Sequence, residues 1–211
     1  MFTGLIRHLG TLAARRPRPG GARLRIQSPA EVLERALPGA SICVNGACLT
    51  VVEVQGDAWE ADLSDETLLK TTLGRLGLGE MLHLEPALLV GDPLDGHLVS
   101  GHVDGVGRLL ERCEGEGLWH FSMPGELAAM IAAKGSVTVD GISLTVVEAT
   151  RESFSVALIP ETVKRTRLER MRPGTEVNLE ADPVGRFVAR AMALQQGAGR
   201  MDAFLKQGWR D

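Results

Sequence analysis

A thiol, an imidazole and several hydroxyls stand in short glycine-flanked runs of this 211-residue chain. These are side chains able to move protons or to add to an electrophilic ring. Cys48 lies in Gly46-Ala47-Cys48-Leu49-Thr50, and the run returns later as Gly141-Ile142-Ser143-Leu144-Thr145. One side chain changes from thiol to hydroxyl while most of its neighbours are kept. Such a thiol is either a small buried filler, the common fate of free cysteine, or a group beside a ligand in one copy only. His102 follows Ser100-Gly101. Glycine lets backbone approach a flat ligand and an imidazole moves protons near neutral pH, although a hydrogen-bonded structural histidine has the same sequence. Ser41, Thr50 and Thr145 offer hydroxyls that can orient a polar ring, while threonine also simply suits a strand. Asp182 before Pro183 is the pattern of an N-cap ahead of a first helical residue, which accounts for it structurally.

Other chemistries find little support. Gly101 to Gly107 lacks the dinucleotide-binding glycine spacing, and there is no P-loop and no Gly-x-Ser-x-Gly elbow. His97 and His102 have no CxxC or HExxH partner motif, so no metal site is expected. A net charge of −4 without a basic stripe argues against nucleic acid, and no apolar run approaches the roughly twenty residues of a membrane span. The start, Met1-Phe2-Thr3-Gly4-Leu5-Ile6, does not read as a signal peptide. Three cysteines at irregular spacing fit a reducing cytoplasm better than a disulfide framework.

The elements that must hold these residues are written twice. Shifted by 95, the stretch from Ala40 to Ala87 falls on Gly135 to Asp182 without a gap, with Gly46 on Gly141. Leu49-Thr50-Val51-Val52-Glu53 meets Leu144-Thr145-Val146-Val147-Glu148, Glu66-Thr67 meets Glu161-Thr162, and Leu84-Glu85 meets Leu179-Glu180. Leu98-Val99-Ser100-Gly101 lines up with Met1-Phe2-Thr3-Gly4, which puts His102 opposite Leu5. Units of roughly ninety residues bury only about 60–65% of their chain surface, so each gains from docking or oligomerising. Asn45-Gly46 and Asp140-Gly141 are tight-hairpin signals between β-rich runs. The spacing predicts further strands over Ala58 to Leu63 and Ser153 to Ile159, and short helices over Glu66 to Leu73 and Glu161 to Leu168. Closing strands are predicted over Met81 to Glu85 and Glu176 to Glu180. Ser64 caps the first helix and Pro160 opens the second. Several short strands with one small helix per unit suggest a closed Greek-key barrel. The predicted architecture is all-β: two tandem homologous Greek-key barrels, over 1–97 and 98–182, plus a C-terminal α-helix and tail over 183–211. Arg15 to Gly21 reads as a basic, proline-rich solvated loop tip. The helix runs from Pro183 to Lys206 with Val184, Phe187, Val188, Ala191 and Met192 on one face, interrupted or ended at Gly197 and Gly199.

The runs Met1 to Ile6, Asn45 to Val51, Gly96 to His102, Asp140 to Val146 and Ile159 to Thr162, in this order and spacing, resemble the riboflavin synthase α chain from Met1 to about Met192. The resemblance implies two flavin-binding-type barrels and a homotrimer held by the C-terminal helices. The implied activity converts two molecules of 6,7-dimethyl-8-ribityllumazine into riboflavin and 5-amino-6-ribitylaminouracil, without a cofactor. It also implies that the working site forms between the N-terminal barrel of one subunit and the C-terminal barrel of the next. A lumazine synthase is a further partner that the resemblance raises. Carried over by position, Gly4, Leu5, Ile6, Lys134, Ser143, Leu144, Thr145, Ile159, Pro160, Glu161, Thr162, Val163 and Lys164 line the C-terminal pocket. Cys48, Leu49, Thr50, Asp62, Leu63, Ser64, Asp65, Glu66, Thr67, Gly101, His102 and Val103 line the N-terminal one. Ser41, Cys48, Thr50, His102 and Asp182 are the implied catalytic residues. The competing reading is a non-catalytic lumazine- or flavin-binding protein of the same ancestry, against which retention of Ser41, Cys48 and His102 argues.

Overall fold

The computed structural model describes residues 1–113 and 117–207, with the side chains of the last helix described as far as Gln195. Alternation of apolar and polar residues makes the strands. In the strand Ala47–Gln55 (β4), Ala47, Leu49 and Val51 turn inward, and Cys48 and Thr50 turn outward. Its counterpart Ile142–Ala149 (β10) buries Ile142, Leu144 and Val146 and turns Ser143 and Thr145 out. The period of two therefore places the reactive side chains on the outside of the barrel wall.

Two closed antiparallel barrels of six strands each follow from this pattern. The first runs His8–Arg18 (β1), Gly21–Gln27 (β2), Ser41–Val44 (β3), β4, Ala58–Ser64 (β5) and Met81–Pro86 (β6), in the order β1-β2-β5-β4-β3-β6. The second uses Gly105–Cys113 (β7), Leu118–Ser122 (β8), Ser136–Val139 (β9), β10, Ser153–Ala157 (β11) and Glu176–Ala181 (β12) with the same connectivity. Both cross over from the second strand to the third and from the fifth to the sixth, the Greek-key arrangement. Register shifts recur at matching places, Leu12/Ala14 with Leu109/Glu111 and Val51/Glu53 with Val146/Glu148. These bulges let the walls curve into closure. One core gathers Leu12, Ile26, Trp59, Leu73 and Leu84; the other stacks Trp119, Phe121 and Phe154 among Leu109, Leu168 and Leu179.

The short helices are Ala30–Leu33 (α1), Asp65–Lys70 (α2) and Pro160–Arg165 (α3), and Pro183–Gln207 (α4) closes the described chain. Ser64 accepts the Thr67 N–H as the predicted cap, and Pro160 opens α3. The predicted helices reaching Leu73 and Leu168 instead break at Thr71 and Thr166. There an extended residue uses its hydroxyl to cap a separate 3-10 turn, Thr72–Gly74 or Arg167–Arg170. The basic stretch is not a loop: Arg15 to Arg18 continue β1, and the hairpin turns at Pro19-Gly20. Arg15 donates to the carbonyls of Leu73 and Leu76, and Arg18 pairs with Asp62, so these guanidiniums are tied to the wall. Gly197 and Gly199 do not end α4, because a glycine costs a helix interior only about 1 kcal/mol.

A pseudo-twofold axis relates the barrels, and their first segments meet on it. Phe2 N–H donates to Val99 O at 2.8 Å and Val99 N–H donates to Phe2 O at 3.1 Å. The turn glycines Gly46 (φ +84) and Gly141 (φ +80) abut: a Cβ on either would lie 2.8 Å from the other's nitrogen. Between them runs a buried, reciprocal polar lattice. Asn178 Nδ2 donates to Asn45 O and its Oδ1 accepts the Thr72 N–H, both at 2.7 Å. On the other side of the axis, His83 Nε2 accepts the Arg167 N–H at 2.9 Å, which makes its Nδ1 the donor to Asp140 O at 2.9 Å. Arg167 adds a buried ion pair to Asp140 at 2.6 Å, where the first barrel has the neutral pair Asn45 and Thr72.

Candidate functional site

The segments that precede each barrel are exchanged across the axis. Gly4 O accepts the Ser143 N–H, and Gly101 O accepts the Cys48 N–H, both at 2.8 Å. Met1 to Ile6 thus lies against the second barrel and Leu98 to Val103 against the first. Two buried carboxylates hold the exchange in place. Glu85 accepts from the Thr3 N–H and hydroxyl and from the Gly4 N–H at 2.7–3.0 Å. Glu180 accepts the same three donors from Ser100 and Gly101 at 2.5–2.9 Å. Burial pushes the Glu85 carboxyl above its usual range, and the Thr3 and Gly4 donors oppose it. Both glycines sit at positive φ hard against the facing strand, with room for no side chain: a Cβ on Gly4 would meet Ser143 Cβ at 2.6 Å, and one on Gly101 would meet Cys48 Cβ at 2.6 Å.

Each exchanged segment completes a cleft against the first turn of a short helix. Cys48, Glu66, Thr67, Lys70, Gly101, His102 and Val103 line the N-terminal cleft, about 390 Å³ in volume, together with Ala47, Thr71 and Asp104. Gly4, Leu5, Ile6, Ser143, Glu161, Thr162 and Arg165 line the C-terminal one, about 130 Å³, together with Ile142 and Thr166. The linings correspond position by position: thiol for hydroxyl, His102 for Leu5, Lys70 for Arg165. Backbone N–H and C=O groups along the exchanged strand, helix-end donors and a cation make each cleft suited to a flat, polar, oxygen-rich heterocycle.

Ser41 and Thr50 face each other across β3 and β4, next to the opposed Cys43 and Cys48. Their equivalents are Ser136 with Thr145 and Thr138 with Ser143. Leu49 and Leu144 point into the barrel cores, so only their backbone can meet a ligand. Asp62, Leu63 and Ser64 border a separate depression with Arg18 and Gly21. There Arg23 and Arg18 hold the Asp62 carboxyl down to about 2. Asp65 is exposed in the first turn of α2. Pro160, Val163 and Lys164 line a further depression over Trp119, and Ile159 is exposed beside it. Lys134 is exposed at φ +67, in the place of Gly39, outside the C-terminal cleft lining. Asp182 caps α4 through Val184 N–H at 2.9 Å and belongs to the second barrel's end of the chain.

Three further features belong to the site. His97 bonds Ser143 Oγ through Nδ1 at 2.7 Å; burial holds its ring below the usual histidine range, and Asp182 works in the opposite sense. In the sequence His97 is marked by the run Gly96-His97-Leu98 and has no partner motif for a metal. Glu85 and Glu180 were visible as repeated glutamates at the inward end of a strand, where a carboxylate needs partners. Cys43 lies opposite Cys48 on the same hairpin.

The sequence profile of the lumazine binding domain matches residues 3–87 and 100–182. Riboflavin synthase of Mycobacterium tuberculosis (strain ATCC 25618 / H37Rv) is 44% identical over 199 residues, covering 91% of this chain and 98% of that protein. Riboflavin synthase of Escherichia coli (strain K12) is 37% identical over 205 residues, covering 94% and 96%. Among solved structures, LumP complexed with riboflavin superposes with a TM-score of 0.79 at 25% identity, over 86% of this chain and 99% of that one. LumP complexed with 6,7-dimethyl-8-(1'-D-ribityl) lumazine gives 0.77 at 23%, with the same coverage.

Proposed function

The chain belongs to the riboflavin synthase family, and on that premise we propose that each of its two clefts takes one molecule of 6,7-dimethyl-8-ribityllumazine. The protein is a transferase that converts two such molecules into riboflavin and 5-amino-6-ribitylaminouracil. One lumazine gives a four-carbon unit to the other. The atoms and electrons of two substrates equal those of the two products, so the reaction needs no external oxidant or carrier. The observation that carries the reading is the matched pair of clefts, one per barrel, each built from an exchanged glycine segment and a helix start. Two similar sites suit two copies of one substrate, and the sites differ where the two copies must play different parts.

His102 of the N-terminal cleft, with Thr50 on the adjoining strand, assists removal of a proton from the acidic C7 methyl of one lumazine, and Cys48 with Ser41 supplies or positions the nucleophile that adds to the other ring. Lys70 and Arg165 neutralise charge that develops on the pyrimidinedione. Asp182 contributes its carboxylate from a neighbouring subunit. Placing both lumazines between an N-terminal cleft and a neighbour's C-terminal cleft converts an encounter into an oriented reaction. The support for an oligomer is α4, where Val184, Phe187, Val188 and Met192 are all more than half exposed in the single chain. A homotrimer joined by these helices covers them, and the mass in solution tests it. The units 1–97 and 98–182 are then two lumazine-binding domains, each lending its first residues to the other. A lumazine synthase, as supplier of the substrate, is a partner to look for by co-sedimentation, and a reducing cytoplasm is the compartment that suits three cysteines at irregular spacing.

Riboflavin fluorescence is the direct test. Purified protein incubated with 6,7-dimethyl-8-ribityllumazine alone makes one riboflavin for every two lumazines consumed. Tight binding without turnover would make it a carrier, the second reading that the likeness to ligand-bound LumP keeps in view.

A further inference from the structure

Cys43 and Cys48 are directly opposed across β3 and β4. The hairpin turns on Asn45-Gly46, with Val44 and Ala47 closing it, so the next pair outward is a non-hydrogen-bonded one. In agreement, the Cys48 N–H leaves the hairpin for Gly101 O. Opposed residues at such a position have Cα atoms about 4.5 Å apart and side chains on one face, within the range of about 4.4–6.8 Å that a disulfide spans. Both thiols share the outer face: Ile42, Val44, Ala47 and Leu49 fill the barrel, while Cys43 packs with Phe2 and Val99, and Cys48 leans on that cluster.

The second barrel opposes Thr138 to Ser143 at the same place. Both members of the pair are thiols in one barrel and both are hydroxyls in the other. A group needed only to face a ligand explains Cys48 alone, and a buried filler explains Cys43 alone. A function of the pair explains both. Their environments also divide the labour of an oxidation. Cys48 opens to the N-terminal cleft, where small solutes reach it, and Cys43 is 1% exposed. Burial also pushes the Cys43 thiol up, so Cys48 at the cleft is the thiol that meets an oxidant first.

We infer that Cys43 and Cys48 are a redox pair, which a hydroperoxide entering the N-terminal cleft closes into a disulfide that removes the Cys48 thiol from the site. Cys48 thiolate attacks a peroxide oxygen, the O–O bond breaks, and water or alcohol leaves with a proton, giving the sulfenic acid. Cys43 sulfur then attacks that sulfur; the S–S bond forms, the S–O bond breaks, and a second water leaves. Two thiols lose two electrons and the peroxide gains them; a dithiol reductant reverses the change. Only the consequence for turnover rests on the proposed function, since the bond itself is read by mass.

The full-length reduced protein is treated with hydrogen peroxide, alkylated and digested with trypsin, which releases residues 36–70 with both thiols in one peptide. That peptide is expected two hydrogens lighter and unalkylated, with turnover lost in proportion to the bridged fraction and both restored by dithiothreitol. Cys43→Thr, the residue that the second barrel uses, is expected to keep the turnover of the reduced protein and to carry its Cys48 on to sulfinic acid. Bridging to Cys113 or between chains, sulfinic acid at Cys48 of the unmutated protein without a bridge, or a bridged protein as active as the reduced one would each overturn the inference. A bridge formed in a reduced protein that makes no riboflavin supports the pair and sinks the proposed function instead.

Discussion

The two barrels are one design executed with different side chains, and the differences fall in two places. On the outer face, the first barrel presents thiols at positions 43 and 48 and an imidazole at 102, where the second presents Thr138, Ser143 and Leu5. Near the axis the asymmetry reverses: the second barrel carries the ion pair Asp140–Arg167, and the first the neutral Asn45 and Thr72. The backbone tolerates both sets because Asn45 and Asp140 each accept one main-chain N–H through Oδ1, from His83 and from Asn178, while the His83 and Asn178 side chains bond main-chain groups across the axis. Duplication has kept the frame and left the chemistry free to diverge.

The largest expected effect comes from unpairing the ion pair. Asp140→Asn or Arg167→Thr alone leaves a buried charge without its partner and is expected to cost about 3–5 kcal/mol. The double variant copies the Asn45 and Thr72 of the first barrel and is expected to recover most of the loss. A denaturant double-mutant cycle reads this, and a double variant as unstable as the sum of the singles would show that the halves are not interchangeable there.

Next is the acid response of His83. Burial lowers its ring to about 4, below the 6.5 of an ordinary histidine, so the unfolded chain takes up the proton first as the solution is acidified. The stabilisation is fully present above about pH 6.5 and falls away towards pH 4, a loss of roughly 3 kcal/mol from this group. His83→Asn copies Asn178, whose amide makes the equivalent two bonds, and is expected to flatten that slope while folding normally. Unfolding free energies at about pH 7 and about pH 4.5 for both proteins decide it.

A smaller and crossed effect concerns the two carboxylates. Glu85 stands on the first barrel but holds the segment that lines the second barrel's cleft, and Glu180 does the converse. Glu85→Ala is expected to weaken lumazine or riboflavin binding in the C-terminal cleft, and Glu180→Ala in the N-terminal one. Each loss is about 10–100-fold, for charge-assisted hydrogen bonds worth about 1.5–3 kcal/mol apiece. Titrations that resolve two sites per chain would show the crossing, and equal loss at both sites would refute it. Smallest is the helix cap. Ser64→Ala removes the side chain that accepts Thr67 N–H and is expected to cost about 1 kcal/mol in thermal or denaturant unfolding. The equivalent Ile159→Ala is expected to cost almost nothing, because α3 has no side-chain cap.

Much of this was legible before any fold was known. The hairpins at Asn45-Gly46 and Asp140-Gly141, the inward and outward alternation of β4 and β10, and the capping of α2 and α4 are set within a few residues. Positive φ, period-two exposure and helix-end donors are local matters. Cys48, His102 and Ser143 stood out because repetition makes a single changed residue visible. The 3-10 breaks at Thr71 and Thr166 escaped notice because an apolar period continues through them. Arg15 to Arg18 have the basic and proline-rich composition of a loop, whereas Leu73 O, Leu76 O and Asp62 offer Arg15 and Arg18 partners far along the chain.

The sequence by itself determined that there are two copies of one barrel, which face of each strand is buried and which positions differ in chemistry. Only the tertiary structure decided that Glu85 and Glu180 clamp exchanged segments, that His97 reaches Ser143 and that Cys43 packs with Phe2 and Val99. The division has a physical cause. Strand and turn preferences act between neighbours in the chain, while clefts that join Cys48 to Gly101 and Gly4 to Ser143, segments far apart in sequence, exist only once both barrels have closed and docked about their axis.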